Sequence, residues 1–568
     1  MKRILVFLLT ILLILSLGVL TSCKKDKKDD VEKQEENEEP DTSGTNSVTE
    51  LLIEVLPGKG DFTEVYTKGD QSISGVSDEV ASAYRSSDGY VIVVETEGYS
   101  EELCVLCGVD NGGKVVGVKV FSHKEPADYA AKVFPLVEGL EGAYSGYDYM
   151  TFTAYTVSGM TLTSGGIAKA VKCAILTYHE LSDDKLTSLD ILNDDLSEYV
   201  EIGEEYYKGY TVTVDPARVS EFDVENELIK ILYKYKGKEP VDGDGVISVG
   251  DSVDIFYKGY YFKDDGERVY FEGGSNVGGT AYTLGIGSAS FIPGFEYNLI
   301  GKRPADYTPD NPIVVETFFP ENYQSAELAG KTAYFEVEVV KLTEYEVPEL
   351  NESFITDTLK LSAETLAEFE GATLTEKYRS YIREAYLKSN GLDVDSLKEN
   401  AFWESVMKGG EVKKYPEVQL KEIFDSFVSE LEYYYYNNYY SYYYKYEEFM
   451  CLYIGLEVGS DWKGTLMDMA KDQIKQQLIF YRIMDKEELR PDADEYAALF
   501  DEYLTEALAS EGITADKYNT EEEYFKAKAE YKAKLIEARG EEYFKAMIYY
   551  NITMETVLSY ANVVEIAE

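Results

Sequence analysis

Tyr270-Phe271-Glu272-Gly273-Gly274, then Ile286-Gly287-Ser288, then Phe291-Ile292-Pro293-Gly294-Phe295-Glu296: these stretches, in this order, decide the reading of the chain. Upstream of them, residues 251–259 (DSVDIFYKG) alternate apolar and polar side chains, the period of a strand with one buried face. Downstream come Phe319-Pro320-Glu321-Asn322-Tyr323, Leu328-Ala329-Gly330-Lys331 and Tyr334-Phe335-Glu336-Val337-Glu338-Val339. Aromatic and β-branched runs broken by Gly and Pro predict a β-rich region over 245–345. The surrounding composition narrows the function. The 568 residues carry 54 Lys+Arg against 106 Asp+Glu, a net charge of −52. Phosphate contacts need clustered Lys and Arg, so a nucleic-acid partner is not expected. Two histidines, His123 and His179, give little material for a His-built metal centre, and no metal is expected. Five cysteines do not make a disulfide scaffold. At 45% hydrophobic residues the chain has ample core material, and its length suggests about three or four domains.

The six ordered motifs of 245–345 resemble an FKBP-type peptidyl-prolyl isomerase domain, and F-E-G-G with F-I-P-G-F-E is most similar to the version in trigger factor. The resemblance implies an antiparallel β-sheet wrapped on a short helix and catalysis of X-Pro isomerisation. It also implies a pocket walled by Tyr257, Phe271, Tyr282, Phe291, Ile292, Phe295, Tyr323 and Phe335. Glu272 falls where some members carry Asp, Phe295 takes a floor position often held by Trp, and the Ile292 amide is the implied donor to the substrate carbonyl. Aromatics suit this chemistry. The X-Pro barrier of about 18–20 kcal/mol comes from amide resonance. An apolar pocket therefore favours the twisted, less charge-separated amide without any acid or nucleophile.

Nearer the amino end, Tyr90–Thr96, Leu103–Val109 and Lys114–Val120 read as strands, with Asp110-Asn111-Gly112-Gly113 as a hairpin connection. After Gly166, Ile167, Ala170, Val171 and Ala174 fall on one helical face. Between these lies Val157-Ser158-Gly159-Met160-Thr161-Leu162-Thr163-Ser164-Gly165-Gly166. With Gly117–Pro126, this resembles the FMN-binding domain of Rnf and sodium-pumping quinone reductase subunits. There a Ser-Gly-Ala-Thr motif carries FMN through a phosphoester on its last threonine. That position is Thr161 here, with Ser158 and Gly159 before it and Thr163 as a second hydroxyl. Met160 replaces the usual Ala, and Tyr155 stands where the attaching enzyme expects Asp. Covalent and non-covalent FMN both stay open. Cys104 and Cys107 form C-x-x-C, but residues three apart on a strand point to opposite faces, so two separate thiols are expected.

The flanks complete the organisation. Met1-Lys2-Arg3, the apolar run to Leu20, and Leu20-Thr21-Ser22-Cys23 resemble a bacterial lipoprotein signal over 1–22 with Cys23 as the lipid-bearing residue. An uncleaved anchor is the alternative. Residues 23–50 read as an acidic, solvated spacer, 51–190 as the FMN-type domain, and 200–244 as a connecting segment. Beyond Val347-Pro348-Glu349-Leu350-Asn351-Glu352-Ser353-Phe354, residues 346–568 read as an all-α domain similar to the trigger factor chaperone arms. A helix is expected over 465–481 and another from Thr520 through Tyr543. The ribosome-docking part of that family has no counterpart, so no ribosome docking is expected. The Tyr-rich run 433–446 suits weak peptide contact or is a biased surface without a dedicated role.

The expected architecture is thus α+β and multidomain. The expected function is an extracytoplasmic, membrane-anchored folding factor that isomerises X-Pro bonds, holds unfolded exported chains and binds FMN. A flavin electron carrier with the remainder as docking scaffold is the alternative, and a surface binding protein with silent inherited domains a third. Lipidation at Cys23 has a direct test. Metabolic labelling with a fatty-acid analogue should mark the wild-type chain and leave Cys23→Ser unlabelled. Equal labelling of both would refute it.

Overall fold

The computed structural model describes residues 45–566 apart from 158, 216–218, 264–265, 320–322, 324, 326, 439 and 441–442, with the side chains of 45–47 and 272 also outside it. Residues 1–22, expected as an export signal, Cys23 and Ser158 therefore lie outside the described residues. The elements run α1 (Thr45–Val55), β1 (Thr63–Thr67), β2 (Val80–Arg85), β3 (Gly89–Thr96), β4 (Leu103–Asp110), β5 (Val115–His123), α2 (Ala127–Val137) and α3 (Thr161–Leu181). Next come β6 (Val200–Glu201), β7 (Thr211–Val214), α4 (Glu221–Tyr233) and β8 (Pro240–Val241). The central strands are β9 (Ser252–Phe262), β10 (Arg268–Ser275), β11 (Tyr282–Gly285), β12 (Ile313–Phe318) and β13 (Thr332–Tyr345). The remainder is α5 (Leu374–Ser389), α6 (Val394–Gly409), β14 (Glu411–Val412), α7 (Glu417–Asn437), α8 (Tyr446–Tyr453), α9 (Trp462–Lys486), α10 (Ala493–Ser510), α11 (Glu521–Arg539), α12 (Glu541–Ser559) and β15 (Asn562–Glu565). Among the described residues no helix is long and apolar enough to cross a membrane. The fold is mixed α+β, β-rich before residue 346 and largely helical after it.

The described residues form two compact units, one built from 45–203 and 409–553, the other from 204–408 and 554–566. The first holds an antiparallel meander β1-β2-β3-β4-β5. Strand alternation covers both of its faces. Tyr90, Ile92 and Val94 pack with Ile167, Ala170, Val171 and Ala174 of α3. On the other face Val91 and Leu106 pack with Leu52, Val55 and Leu56. Those three buried residues, at about 2 kcal/mol apiece, draw the chain from residue 45 into a helix, so the spacer expected to reach residue 50 stops earlier. Cys107 joins the α3-side core, Cys104 does not, and both are free thiols. The hairpin after β4 is fixed by the Asp110 carboxylate, which accepts from the amides of Gly112 and Lys114 at 2.9 Å each. After α3 the chain runs along α7. The Thr187 amide donates to Glu417 at 3.0 Å, the Leu189 amide to Gln419 at 3.1 Å, and β6 pairs with β14.

Helix α9 buries Leu466, Ala470, Ile474 and Leu478, the stripe expected from the sequence. The helix expected from 520 through Tyr543 is two helices. Thr520 caps α11 by accepting from the Glu523 amide at 3.2 Å, and Gly540, at φ 81°, ends it before α12 begins. A left-handed residue cannot continue an α-helix, and glycine takes that conformation at little cost.

In the second unit the sheet order is β10-β9-β13-β12, with β11 paired to β9. Ser220 and Asp223 form a capping box that starts α4. Val224 and Leu228 of α4 pack with Ile355, Tyr378 and Ile382. The region expected to be wholly helical also supplies β15, which pairs in parallel with β7. Residues 346–568 thus contribute elements to both units, where the sequence suggested one separate body.

Candidate functional site

The ordered motifs of 252–345 converge on one cluster of rings. In β9, Tyr257 lies against Phe291 (ring centroids 5.2 Å), Phe335 (6.2 Å) and Phe295 (6.4 Å). Phe295 continues to Phe335 at 5.1 Å, Phe335 to Phe271 at 5.8 Å, and Phe271 to Phe319 at 5.4 Å. Phe319 meets Tyr323 at 4.6 Å, and at the other end Phe291 meets Tyr282 at 5.4 Å. Seven of the expected pocket walls are therefore joined ring to ring, and Ile292 packs against the same core. Phe295 is fully buried, while Tyr282 and Tyr323 are exposed at 42% and 38% and form the rim. Burial raises the Tyr257 hydroxyl above its ordinary pKa, so it stays neutral. The backbone of Glu272 lies in β10, but its side chain lies outside the described residues. Phe319, 2% exposed, belongs to the cluster although sequence reasoning did not single it out. Its signal was its place at the head of Phe319-Pro320-Glu321-Asn322-Tyr323.

The loop before a short 3-10 helix (Tyr297–Leu299) carries Phe291 and Ile292, and one carboxylate shapes it. Glu296, 6% exposed, accepts from the amides of Gly287 (2.7 Å), Ser290 (2.9 Å) and Ala289 (3.1 Å) and from the Ser288 hydroxyl (3.1 Å). Thr317 donates to the Pro293 carbonyl, and Asn298 donates to Gly294 at 3.1 Å. The Ile292 amide, the implied substrate donor, has no acceptor among the described residues. The opposite wall is set by clearances. Asn276 clamps the β9 bend, accepting from the Tyr257 amide at 2.8 Å and donating to the Ile255 carbonyl at 3.0 Å. A Cβ on Gly259 would stand 2.4 Å from Phe271 Cζ and 2.7 Å from Phe335 Cε1.

The second candidate site is the start of α3. That helix begins at Thr161, six residues ahead of the expected Ile167, with Ser164 N–H donating to the Met160 carbonyl as the first ladder bond. The first-turn amides are thus free to face an anion. Thr161 is exposed, and Gly159, at φ 76°, has open space around it. A phosphoester on the Thr161 hydroxyl fits this terminus. Thr163 does not fit as a second attachment point. It is fully buried, and its hydroxyl donates to Glu125, which also accepts from the Ser100 amide at 2.8 Å. Tyr155, where the resemblance implies Asp, is exposed, and its amide donates to the Tyr144 hydroxyl at 3.0 Å.

The clearance at Gly259 yields a prediction. Gly259→Ala should destabilise the chain by about 1–3 kcal/mol through overpacking against Phe271 and Phe335. Gly301→Ala, with nothing within 4 Å but φ 80°, should cost only its backbone strain. Urea unfolding midpoints check both. A Gly259→Ala chain as stable as wild type would mean that the ring packing is loose.

Residues 98–176 match the FMN-binding domain family. The trigger factor of Acetivibrio thermocellus is 31% identical over 364 residues, 64% of this chain and 73% of that protein. The trigger factor of Bacillus subtilis is 36% identical over 235 residues, 41% of this chain; there the chain spans about half of the relative, 49%. A solved structure of the trigger factor chaperone aligns over 63% of this chain at 17% identity with a TM-score of 0.27, too low to carry an argument. The sequence relationship and the ordered pocket suffice: the chain belongs to the trigger factor family.

Proposed function

We propose that this protein is a folding factor that accelerates cis-trans isomerisation of X-Pro bonds in unfolded chains and holds those chains on its helical surfaces. One observation carries the reading: a continuous chain of ring contacts, from Tyr282 to Tyr323, includes Phe291 of the loop whose Ile292 N–H has no acceptor among the described residues. The residues divide the work. Phe271, Phe291, Phe295 and Phe335 exclude water from the prolyl ring, which favours the twisted amide over the planar one. Ile292 N–H holds the carbonyl that precedes proline, and Glu296 keeps that amide in place through the loop. No proton transfer is needed.

The sequence supports an exported location, with the chain held at a membrane through lipid on Cys23. The match over 98–176 and the open terminus of α3 support FMN on this chain, joined at Thr161. A flavin there would supply one- or two-electron redox chemistry. The protein's own part is to present the Thr161 hydroxyl at an exposed helix start and to keep Thr163 and Glu125 as its buried support.

Two measurements test these readings. The full chain at micromolar concentration should accelerate a proline-limited refolding reaction whose uncatalysed time is roughly 10–100 s. Phe291→Ala should lower that acceleration severalfold, and Tyr257→Phe, which deletes only a hydroxyl, should change it little. A folded chain that gives no acceleration is not an isomerase; aggregation suppression by the same sample would leave a holding role alone. For the flavin, mass spectrometry after co-expression with a flavin transferase should find FMN on the peptide containing Thr161 and none after Thr161→Val. FMN that dialyses away would refute the covalent joint, and absence of any flavin would refute the site.

A further inference from the structure

Helix α4 lies against the loop that carries Ile292, and glycines make the approach possible. A Cβ on Gly294 would stand 2.3 Å from Phe222 Cζ, one on Gly285 2.3 Å from the Tyr233 hydroxyl, and one on Gly287 2.8 Å from the Ile229 carbonyl. The helix and loop border a half-open pocket of about 170 Å³ lined by Asn226, Ile229 and Lys230 from the helix and by Phe291, Ile292 and Glu296 among others from the loop. One water needs about 10–15 Å³ on this measure, so the space suits a short piece of polypeptide.

The polar groups around this cavity are mostly spent. Lys230 pairs with Glu227 at 2.7 Å, and Glu296 is saturated by the loop amides. Asn226 differs. It is 8% exposed, on a helix whose neighbouring positions Val224 and Leu228 are core. Asparagine is a poor helix former, and burying its amide costs free energy unless both ends are bonded. Its Nδ2 donates to the Phe222 carbonyl at 3.0 Å, while Oδ1, which keeps some contact with solvent, has no donor among the described residues. The cavity therefore joins one residue with an unpaired acceptor, Asn226, to one with an unpaired donor, Ile292.

We infer that Asn226 is a substrate-binding residue: its Oδ1 accepts the backbone N–H of the residue before proline, whose own carbonyl is held by Ile292 N–H. In an extended chain a residue presents its N–H and C=O on the same side, the pairing that strands use. Proline has no N–H to offer, so the preceding residue is the one that can make both bonds. Helix α4 then acts as part of the isomerase pocket, and recognition is of backbone, with no side-chain sequence required. This rests on the isomerase reading for the position of the X-Pro bond.

The test compares two fluorescent proline-containing peptides on the full chain, one ordinary and one with an ester in place of the amide that would supply that N–H. Anisotropy should show the wild type binding the amide about tenfold more tightly, the scale of one well-made hydrogen bond. Asn226→Leu should bind both peptides at the ester's affinity, and Asn226→Asp, which keeps an acceptor at the same place, should retain the preference. Equal binding of amide and ester by the wild type overturns the assignment, and needs no variant to fold. An undiminished preference in a folded Asn226→Leu chain overturns it as well. If the preference depends on Asn226 but neither peptide is isomerised, the peptide site stands and the isomerase reading falls.

Discussion

A buried carboxylate without partners would cost several kcal/mol, and Glu296 has partners chosen so that its burial organises a loop. Three amides and a hydroxyl of 287–290 converge on it. That convergence holds Ala289 at φ 58°, a conformation that a residue with a Cβ rarely adopts. The strained turn sets the exit direction of the chain. Phe291 and Ile292 therefore arrive beside Tyr257, with Phe295 one turn further on in the floor. The placement of Phe291 and Ile292 thus follows from one side chain's need to be satisfied.

Glycine clearances are the complementary constraint. Gly259 and Gly274 leave room for the Phe271 ring, and a Cβ on Gly274 would lie 2.3 Å from Phe271 Cε2. Gly285, Gly287 and Gly294 do the same for Tyr233, Ile229 and Phe222. These glycines are conspicuous in the sequence, yet what each makes room for is not adjacent in the chain. The aromatic pocket was legible because its residues recur in a fixed order of short motifs. Asn226 was not, because nothing in Val224-Glu225-Asn226-Glu227-Leu228 separates a buried amide from an exposed one. Phe319 stood in between: its motif was read, but a ring ahead of proline looks like punctuation until its contacts are known.

The α3 start failed to show in the sequence for a different reason. Thr161-Leu162-Thr163-Ser164-Gly165-Gly166 contains weak helix formers, and propensity favours a loop there. Tertiary contacts override it. Gly166 packs so closely under the Glu97 carbonyl that a Cβ would sit 2.4 Å away, and Thr163 is tied to Glu125. The same burial that starts the helix early takes Thr163 out of reach of any modifying enzyme and leaves Thr161 exposed. Where the helix starts and which hydroxyl stays exposed are thus one question. A similar lesson applies to α1, where Leu52, Val55 and Leu56 recruit residues that look like spacer.

The Tyr-rich run shows how composition divides once it is packed. Tyr435 is 8% exposed and lies against Tyr446 and Phe449, at 5.5 and 5.2 Å. Tyr446 donates to Glu432 at 2.9 Å, and burial raises that carboxyl above the usual carboxylate range, so the hydroxyl bond satisfies a group with few other partners. These two tyrosines are structural pins between α7 and α8. Tyr433 and Tyr443, exposed at 63% and 80%, make no such contribution. A surface of rigid amphipathic rings gives contact area at low rotamer cost. Low affinity spread over such a surface suits a holder that must release its clients. Specific recognition instead belongs where polar groups have no partner among the described residues, around Ile292 and Asn226.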